Sequence, residues 1–388
     1  MRPIIKAIII NILCIAALVG VCEGAILALL YHPELLRHVP LKMKRDIRLL
    51  YAGYVRNIIQ FMPACAVADE ELEYTLRPGV CTFSNIEFRN EFHINSLGVR
   101  DDEESLSKPE IIVIGDSDSM GWGVGQDETY AAILEKEGGM KTLNLSVSSY
   151  GTVREMHMLK RADLSNLKYL VIQYCDNDHL ENCYYYIKKN NLPAREISER
   201  CRMARTDYVT QRAYWFGRYF VVIVLDRLAQ LRDMIVPQRD VRKDDKSKYY
   251  YFSDQAVKDA SNAAMYEVSE YVDDKSIKLF LDKDEAEIFI NAVEKSGVSL
   301  DGVRLITFAL NDGLFRHDTR FIAMLKSKLS KPAYPEYIRR MTVCDVSSVI
   351  SPGDFYILDS HLKPSGHRKI ASVLFDAIKP MRQQREGA

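Results

Sequence analysis

No domain-sized part of this 388-residue chain is strongly basic, and its formal net charge is −1. Nucleic acid is therefore not an expected partner, because a phosphate backbone is bound through concentrated Lys and Arg. Metal chemistry finds as little support. The eight histidines are scattered, and none of the eight cysteines stands at zinc-ligand spacing. A phosphate-cradling loop is missing as well: Gly121-Trp122-Gly123-Val124-Gly125 has the glycines but not the lysine. The expectation is an absence of both metal and cofactor. Long apolar runs are scarce too, with one exception at the N-terminus.

That exception is Ile4 to Tyr31, interrupted only by Lys6, Asn11 and Glu23. About 20 apolar residues suffice to cross a bilayer as a helix. The run exceeds the apolar core of a cleaved signal and no small-x-small site closes it, so an uncleaved anchor is expected. Val21 before Cys22 is a poor match to a lipoprotein site. Glu23 is costly in hydrocarbon, which calls for a partner helix, a shallow position or a protonated acid. Arg37, Lys42, Lys44, Arg45 and Arg48 follow the run, whereas only Arg2 and Lys6 flank its other end. By the positive-inside rule this favours a cytoplasmic C-terminal part, but long domains translocate largely regardless of such charges. Residues 40–62 read as an amphipathic helix, suited either to anionic headgroups or to a plain surface.

Chemistry concentrates at the ends of aliphatic strands. Ile111 to Ile114 run straight into Gly115-Asp116-Ser117, which places a serine at the lip of a buried sheet. Tyr169 to Gln173 form a second such strand and deliver Asn177-Asp178. Near the C-terminus, Asp359 and His361 supply a carboxylate and an imidazole two residues apart. A serine nucleophile needs a base to take its proton and an acid to orient that base. Each of these pieces also has a plain structural reading: Asp116 as a helix cap, Asn177 as a turn former, Asp359 and His361 as a solvated loop pair.

Taken in order, the blocks resemble those of the SGNH (GDSL-type) hydrolase and acyltransferase superfamily. Asp116-Ser117 matches its nucleophile block. Asn144 opens the second block, where Ser149 stands nearest the usual glycine and Gly151 is the next one. Asn177-Asp178 matches the third block, and the run from His361 to His367 matches the last. Upstream, Leu76-Arg77-Pro78-Gly79, a strand over Phe88–Ile94 and the Asn95-to-Arg100 run resemble membrane-attached bacterial members. Asn95 and Arg100 there are expected to clamp an edge. The resemblance implies Ser117 as nucleophile, His361 as base and Asp359 as its acid. Leu358 occupies the usual acid position, Asp354 is a second nearby carboxylate, and His367 is expected to be structural. It further implies an oxyanion hole drawn from the Ser117 amide, an amide near Ser149 and Gly151, and the Asn177 side chain. Asp118, just after the nucleophile, is unusual for the family and faces either His361 or the substrate.

The implied fold is an SGNH-type three-layer α/β/α arrangement with a mostly parallel sheet, preceded by one transmembrane helix. The expected organisation is an anchor over 1–32, a helical linker over 33–70 and a catalytic domain over 71–388, with an insertion at about 183–302. Within that insertion, Arg212 to Val236 reads as a helix that packs on the domain or lies against the membrane, its apolar centre too short for a second span. Gln238 to Tyr251 reads as a charged loop. A helix is expected over Asp282–Ser296, a strand over Val303–Leu310 and a helix over Phe321–Leu329. The implied activity is a serine esterase or O-acyltransferase acting on acetyl or other acyl esters of a cell-envelope glycan from a periplasmic face. A lipid esterase, a subunit of an envelope acyl-transfer complex and a non-catalytic envelope scaffold are the competing readings. The cysteines leave the compartment open. Pairing Cys175 with Cys183 or Cys65 with Cys81 would suit an exported chain, and buried thiols would suit either side.

Overall fold

The computed structural model describes residues 3–175, 177–179, 181–182, 185, 206, 208–210, 212–235, 285–310 and 320–386. It divides into two compact units. One comprises the chain up to Arg56, the described part of 203–267, and Ile357–Asp359; the other holds the remainder.

The first unit opens with helix α1 (Pro3–Tyr31), long and apolar enough to cross a membrane, with mean hydropathy 2.6 over its most apolar stretch. After a 3₁₀ turn comes α2 (Leu41–Leu50). The sequence suggests a helix to residue 62, but the α-form ends at Leu50 and widens into a π turn over Tyr51–Val55. Glu23 is buried within this unit and accepts hydrogen bonds from the Tyr219 amide (3.3 Å) and the Phe220 amide (2.8 Å). Those amides open a later helix, Arg218–Ile235, which occupies most of the helix expected over 212–236.

The second unit is built on five parallel strands. Two small antiparallel pairs precede them: β1 (Ala66–Asp69) with β2 (Glu73–Leu76), and the hairpin β3 (Gly79–Asn85) with β4 (Phe88–Ile94). The β4 bounds are those that the alternation in its sequence indicates. A disulfide joins Cys65 to Cys81 across 16 residues. Cys175 is buried, and Cys183, its expected partner, lies outside the described residues.

The main chain then runs β5 (Ile111–Ile114), α3 (Ser117–Met120), α4 (Tyr130–Gly138), β6 (Thr142–Asn144), α5 (Thr152–Leu159) and β7 (Tyr169–Tyr174). The first unit's helix Arg218–Ile235 is α6. There follow α7 (Glu285–Glu294), β8 (Arg304–Ala309), α8 (Arg320–Leu329), α9 (Glu336–Arg339), β9 (Thr342–Cys344) and α10 (Pro364–Glu386). The loop expected over Gln238–Tyr251 lies outside the described residues. In the sheet the order is β6-β5-β7-β8-β9, every pairing parallel.

Successive strand residues feed opposite layers, as the two-residue period requires. Ile112, Ile114, Leu170, Ile172 and Leu305 pack with α5, α7 and α8 residues such as Met156, Phe289 and Leu325. Ile111, Val113, Val171, Ile306 and Phe308 pack with α4 and α10 residues such as Leu134 and Leu374. Burial on both faces explains why these strands read as unbroken aliphatic runs. The result is a three-layer α/β/α unit. Because β5 is flanked by the strand that follows it and by the next one, the chain reverses direction there. In open parallel sheets the carboxyl ends at such a reversal form the ligand crevice.

Candidate active site

Ser117 stands where β5 ends, as the first residue of α3. Gly115 is required one turn earlier because of crowding: a Cβ there would lie 2.2 Å from the Ser119 Oγ and 2.6 Å from the Gln173 Oε1. Gln173, from the adjacent β7, accepts from the Asp116 amide (3.1 Å) and the Ser119 hydroxyl (2.7 Å), so the strand end is tied to its neighbour. Asp116 caps α3 by accepting from the Asp118 amide (3.0 Å). Its carboxyl is raised above the usual range, chiefly by burial, although that amide and the charge of His361 oppose the rise. Asn144 donates to the Ser119 carbonyl (3.0 Å), holding α3 from the β6 side.

The turn after the serine is pinned from below by Arg100. This buried guanidinium donates to the carbonyls of Met120 (3.2 Å), Gly121 and Val124 (2.7 Å), and lies over the Phe92 ring. Burial lowers its pKa to about 9. Gly121 adopts φ 84°, and a Cβ would strike Thr129 and Arg100, so only glycine fits. Asn95 instead braces its own loop, accepting from the Leu97 amide and donating to the Asp102 carbonyl.

His361 reaches this turn from the C-terminal part of the chain. Its Nε2 lies 2.7 Å from the Ser117 Oγ across 244 residues of sequence. The ring stacks on Trp122 at 4.6 Å between centroids with an interplanar angle of 16°. Phe83 in turn packs edge-on against Trp122. Asp118 sits below the pair and accepts from the Leu362 amide (3.2 Å), so it fastens the backbone immediately after the imidazole. Leu358, where the sequence resemblance would put the acid, is a buried core residue.

The two carboxylates before His361 differ sharply. Asp354 is engaged in its own loop: it accepts from the Ser351 amide and hydroxyl (both 2.8 Å), the Ser365 hydroxyl (2.8 Å) and Lys369 (2.6 Å). Burial would raise its pKa, but these donors, Lys369 foremost, hold it down at about 2. Asp359 is fully buried, and its Oδ2 accepts from the Tyr51 hydroxyl (2.8 Å). Arg48 donates to the Ile357 carbonyl two residues earlier (2.5 Å). Tyr51 and Arg48 as supports of the Asp359 segment leave no sequence signal, for they lie more than 300 residues away in a segment that reads as a surface or headgroup-facing helix. His367 is structural: the Tyr130 amide donates to its Nδ1 (3.3 Å), and burial lowers its pKa to about 3.

The expected oxyanion donors occupy two places. Ser149 adopts φ 58°, a left-handed conformation that glycine would take without strain. Its carbonyl accepts from Arg154, and its hydroxyl accepts from Gln60 (3.2 Å). Gly151 caps α5, and a Cβ on it would lie 2.8 Å from the Asn182 Oδ1. Asn177 is exposed after β7, its carbonyl accepting from the Glu181 amide (3.0 Å).

Behind this loop lies a pair of carboxyls: Asp178, which the third block includes, and Glu155, which sequence reasoning does not single out. Asp178 and Glu155 are buried, and both carboxyls are raised well above the ordinary range, by burial first, then by Asp116 for Glu155 and by Glu155 and Asp116 for Asp178. Among the described residues, no three or more His, Cys, Asp or Glu side chains are arranged to hold a metal ion. No protein-family model matches the chain, and no curated protein matches its sequence.

Proposed function

We propose that this protein is a membrane-anchored, serine-dependent ester hydrolase or O-acyltransferase of the SGNH type, acting on acyl esters of a cell-envelope glycan. The observation that carries this reading is the 2.7 Å contact between the Ser117 Oγ and the His361 Nε2 at the carboxyl end of β5. A hydroxyl becomes a competent nucleophile when a base accepts its proton at that range. Ser117 attacks the ester carbonyl carbon and His361 takes its proton. The negative oxygen that develops is met by the Ser117 amide, an amide of the Ser149–Gly151 segment and the Asn177 side chain. One such donor is worth about 3–4 kcal/mol of barrier. Collapse expels the alcohol, which takes the proton back from His361. Water or a sugar hydroxyl then attacks the acyl-serine by the same route in reverse. Asp359 is assigned the orienting role toward His361, and Asp354 is set aside because its oxygens are committed to Ser351, Ser365 and Lys369.

The Cys65–Cys81 disulfide supports an oxidising, extracytoplasmic location. A lipid ester is the second substrate class, favoured by the apolar α1. The test is p-nitrophenyl acetate turnover by the full chain in detergent, because a fragment begun at Glu71 would lack Tyr51. Turnover that falls to background in both Ser117→Ala and His361→Ala is the expected result. Equal activity in all three proteins would refute the reading.

A further inference from the structure

An acidic side chain in the apolar N-terminal helix needs a reason to be there, and the first unit supplies one. Glu23 is 2 % exposed, and both of its oxygens are engaged by the amides that open α6. The first amides of a helix have no partner within it, and a carboxylate at that end satisfies them and complements the helix dipole. Close approach fixes the same junction. A Cβ on Gly217 (φ 81°) would lie 2.7 Å from the Val19 Cγ1, and one on Gly20 would lie 3.3 Å from the Phe216 ring. The start of α6 is therefore locked against α1 between Val19 and Glu23.

The depth of that junction follows from α1 itself. Its large exposed aliphatic side chains run from Ile4 to Val21, a rise of about 26 Å at ~1.5 Å per residue, with Tyr31, an aromatic suited to the headgroup boundary, exposed beyond them. A bilayer's hydrocarbon core is about 30 Å thick. Glu23 and the start of α6 thus fall at one edge of the core. There, Tyr214, Trp215 and Phe216 are 52 %, 52 % and 62 % exposed. Three consecutive exposed aromatics are costly against water but suit the boundary between headgroups and chains, where amphipathic rings concentrate. Along α6, Leu225, Leu228 and Leu231 continue an exposed apolar stripe. Beside α6, burial lowers the pKa of Lys44, and the charges of Arg48 and Arg37 lower it further, which marks a positive potential suited to anionic headgroups.

We infer that Tyr214, Trp215 and Phe216 form a second lipid-embedded element, a shallow wedge held on α1 by Glu23 and occupied by bilayer lipid. The inference rests on the reading of α1 as a membrane anchor. The wedge makes the attachment two-pointed and fixes the rotation of α1 at the membrane boundary.

The test uses the full chain in phosphatidylcholine–phosphatidylglycerol vesicles whose lipids carry bromines near the headgroup or near the chain ends. Wild type and Trp215→Phe are compared, since the other tryptophan, Trp122, is buried. The expected result is an emission component quenched most by the shallow bromines and lost in Trp215→Phe. Glu23→Leu should lose most of that quenching, and Glu23→Gln, which keeps an accepting oxygen, should retain it. Protein that floats with the vesicles but shows no Trp215-dependent quenching would overturn the wedge and leave a protein partner as the occupant. Protein that fails to float would overturn the anchor reading itself.

Discussion

β5 and β7 lie side by side, and each ends a buried aliphatic run in a short polar segment, yet the two ends are built differently. At the β5 end nearly every group that positions Ser117 is engaged: Asp116 by the Asp118 amide, the turn carbonyls by Arg100, and the segment after His361 by Asp118. At the β7 end several buried polar atoms have no hydrogen-bond partner among the described residues. They include both carboxyl oxygens of Glu155, Asp178 Oδ1, Gln173 Nε2 and Asn182 Nδ2. An unsatisfied buried polar atom costs about 1–3 kcal/mol. The half proposed to hold the nucleophile is thus preorganised, while the half proposed to receive the oxyanion carries a polar surplus.

Removing the pin should show the contrast most strongly. Arg100→Met leaves three turn carbonyls without their donor and should destabilise the fold by about 3 kcal/mol or more. It should also slow acylation of Ser117, measured by urea unfolding alongside single-turnover kinetics. Unchanged stability would mean that the β5 end is no better held than its neighbour.

At the β7 end the effect should be smaller and of opposite sign. Glu155 and Asp178 both titrate well above their ordinary range in the fold. The folded chain therefore holds protons that the unfolded chain releases above about pH 4–5. Stability is full below that point and declines as pH rises toward the raised folded values. Glu155→Gln supplies a permanently neutral isostere, so it should raise Tm at pH 7 by a few degrees, about 1 kcal/mol, and flatten the decline. Thermal scans between pH 4 and 8 would show this. A destabilised variant would mean that the carboxylate form is needed.

The smallest effect concerns Ser149. Glycine relieves the cost of φ 58° but removes the hydroxyl that accepts from Gln60. Ser149→Gly should therefore change stability by less than about 1 kcal/mol and preserve esterase turnover, since the proposed donor is a backbone amide. A large loss of turnover at intact stability would point to the hydroxyl.

Much of the second unit is legible in the sequence because aliphatic runs, turn residues and alternation are local signals. The strand over Phe88–Ile94 has the bounds its alternation implies, and the runs at Ile111, Tyr169 and Val303 all become core strands. The helix expected to residue 62 stops twelve residues early, where the π turn at Tyr51 puts a hydroxyl on Asp359. That contact joins residues 308 apart, and no local pattern encodes it. Asp118 shows the same limit. Its oddness is visible in the sequence, but its engagement by the Leu362 amide requires the chain to return from 244 residues away. The partner of Glu23 was equally hidden: a charge in an apolar run signals a need, and only the packed helices show that α6 meets it.

The central claim is that Ser117 and His361 form a nucleophile–base pair. Its most direct test is covalent labelling of the full chain by a fluorophosphonate, read by intact mass and by mapping the modified peptide. One adduct per chain on Ser117, absent in Ser117→Ala and slowed at least about a thousandfold in His361→Ala, is the predicted result. A folded protein that takes no label, or takes it on another serine, would contradict the account.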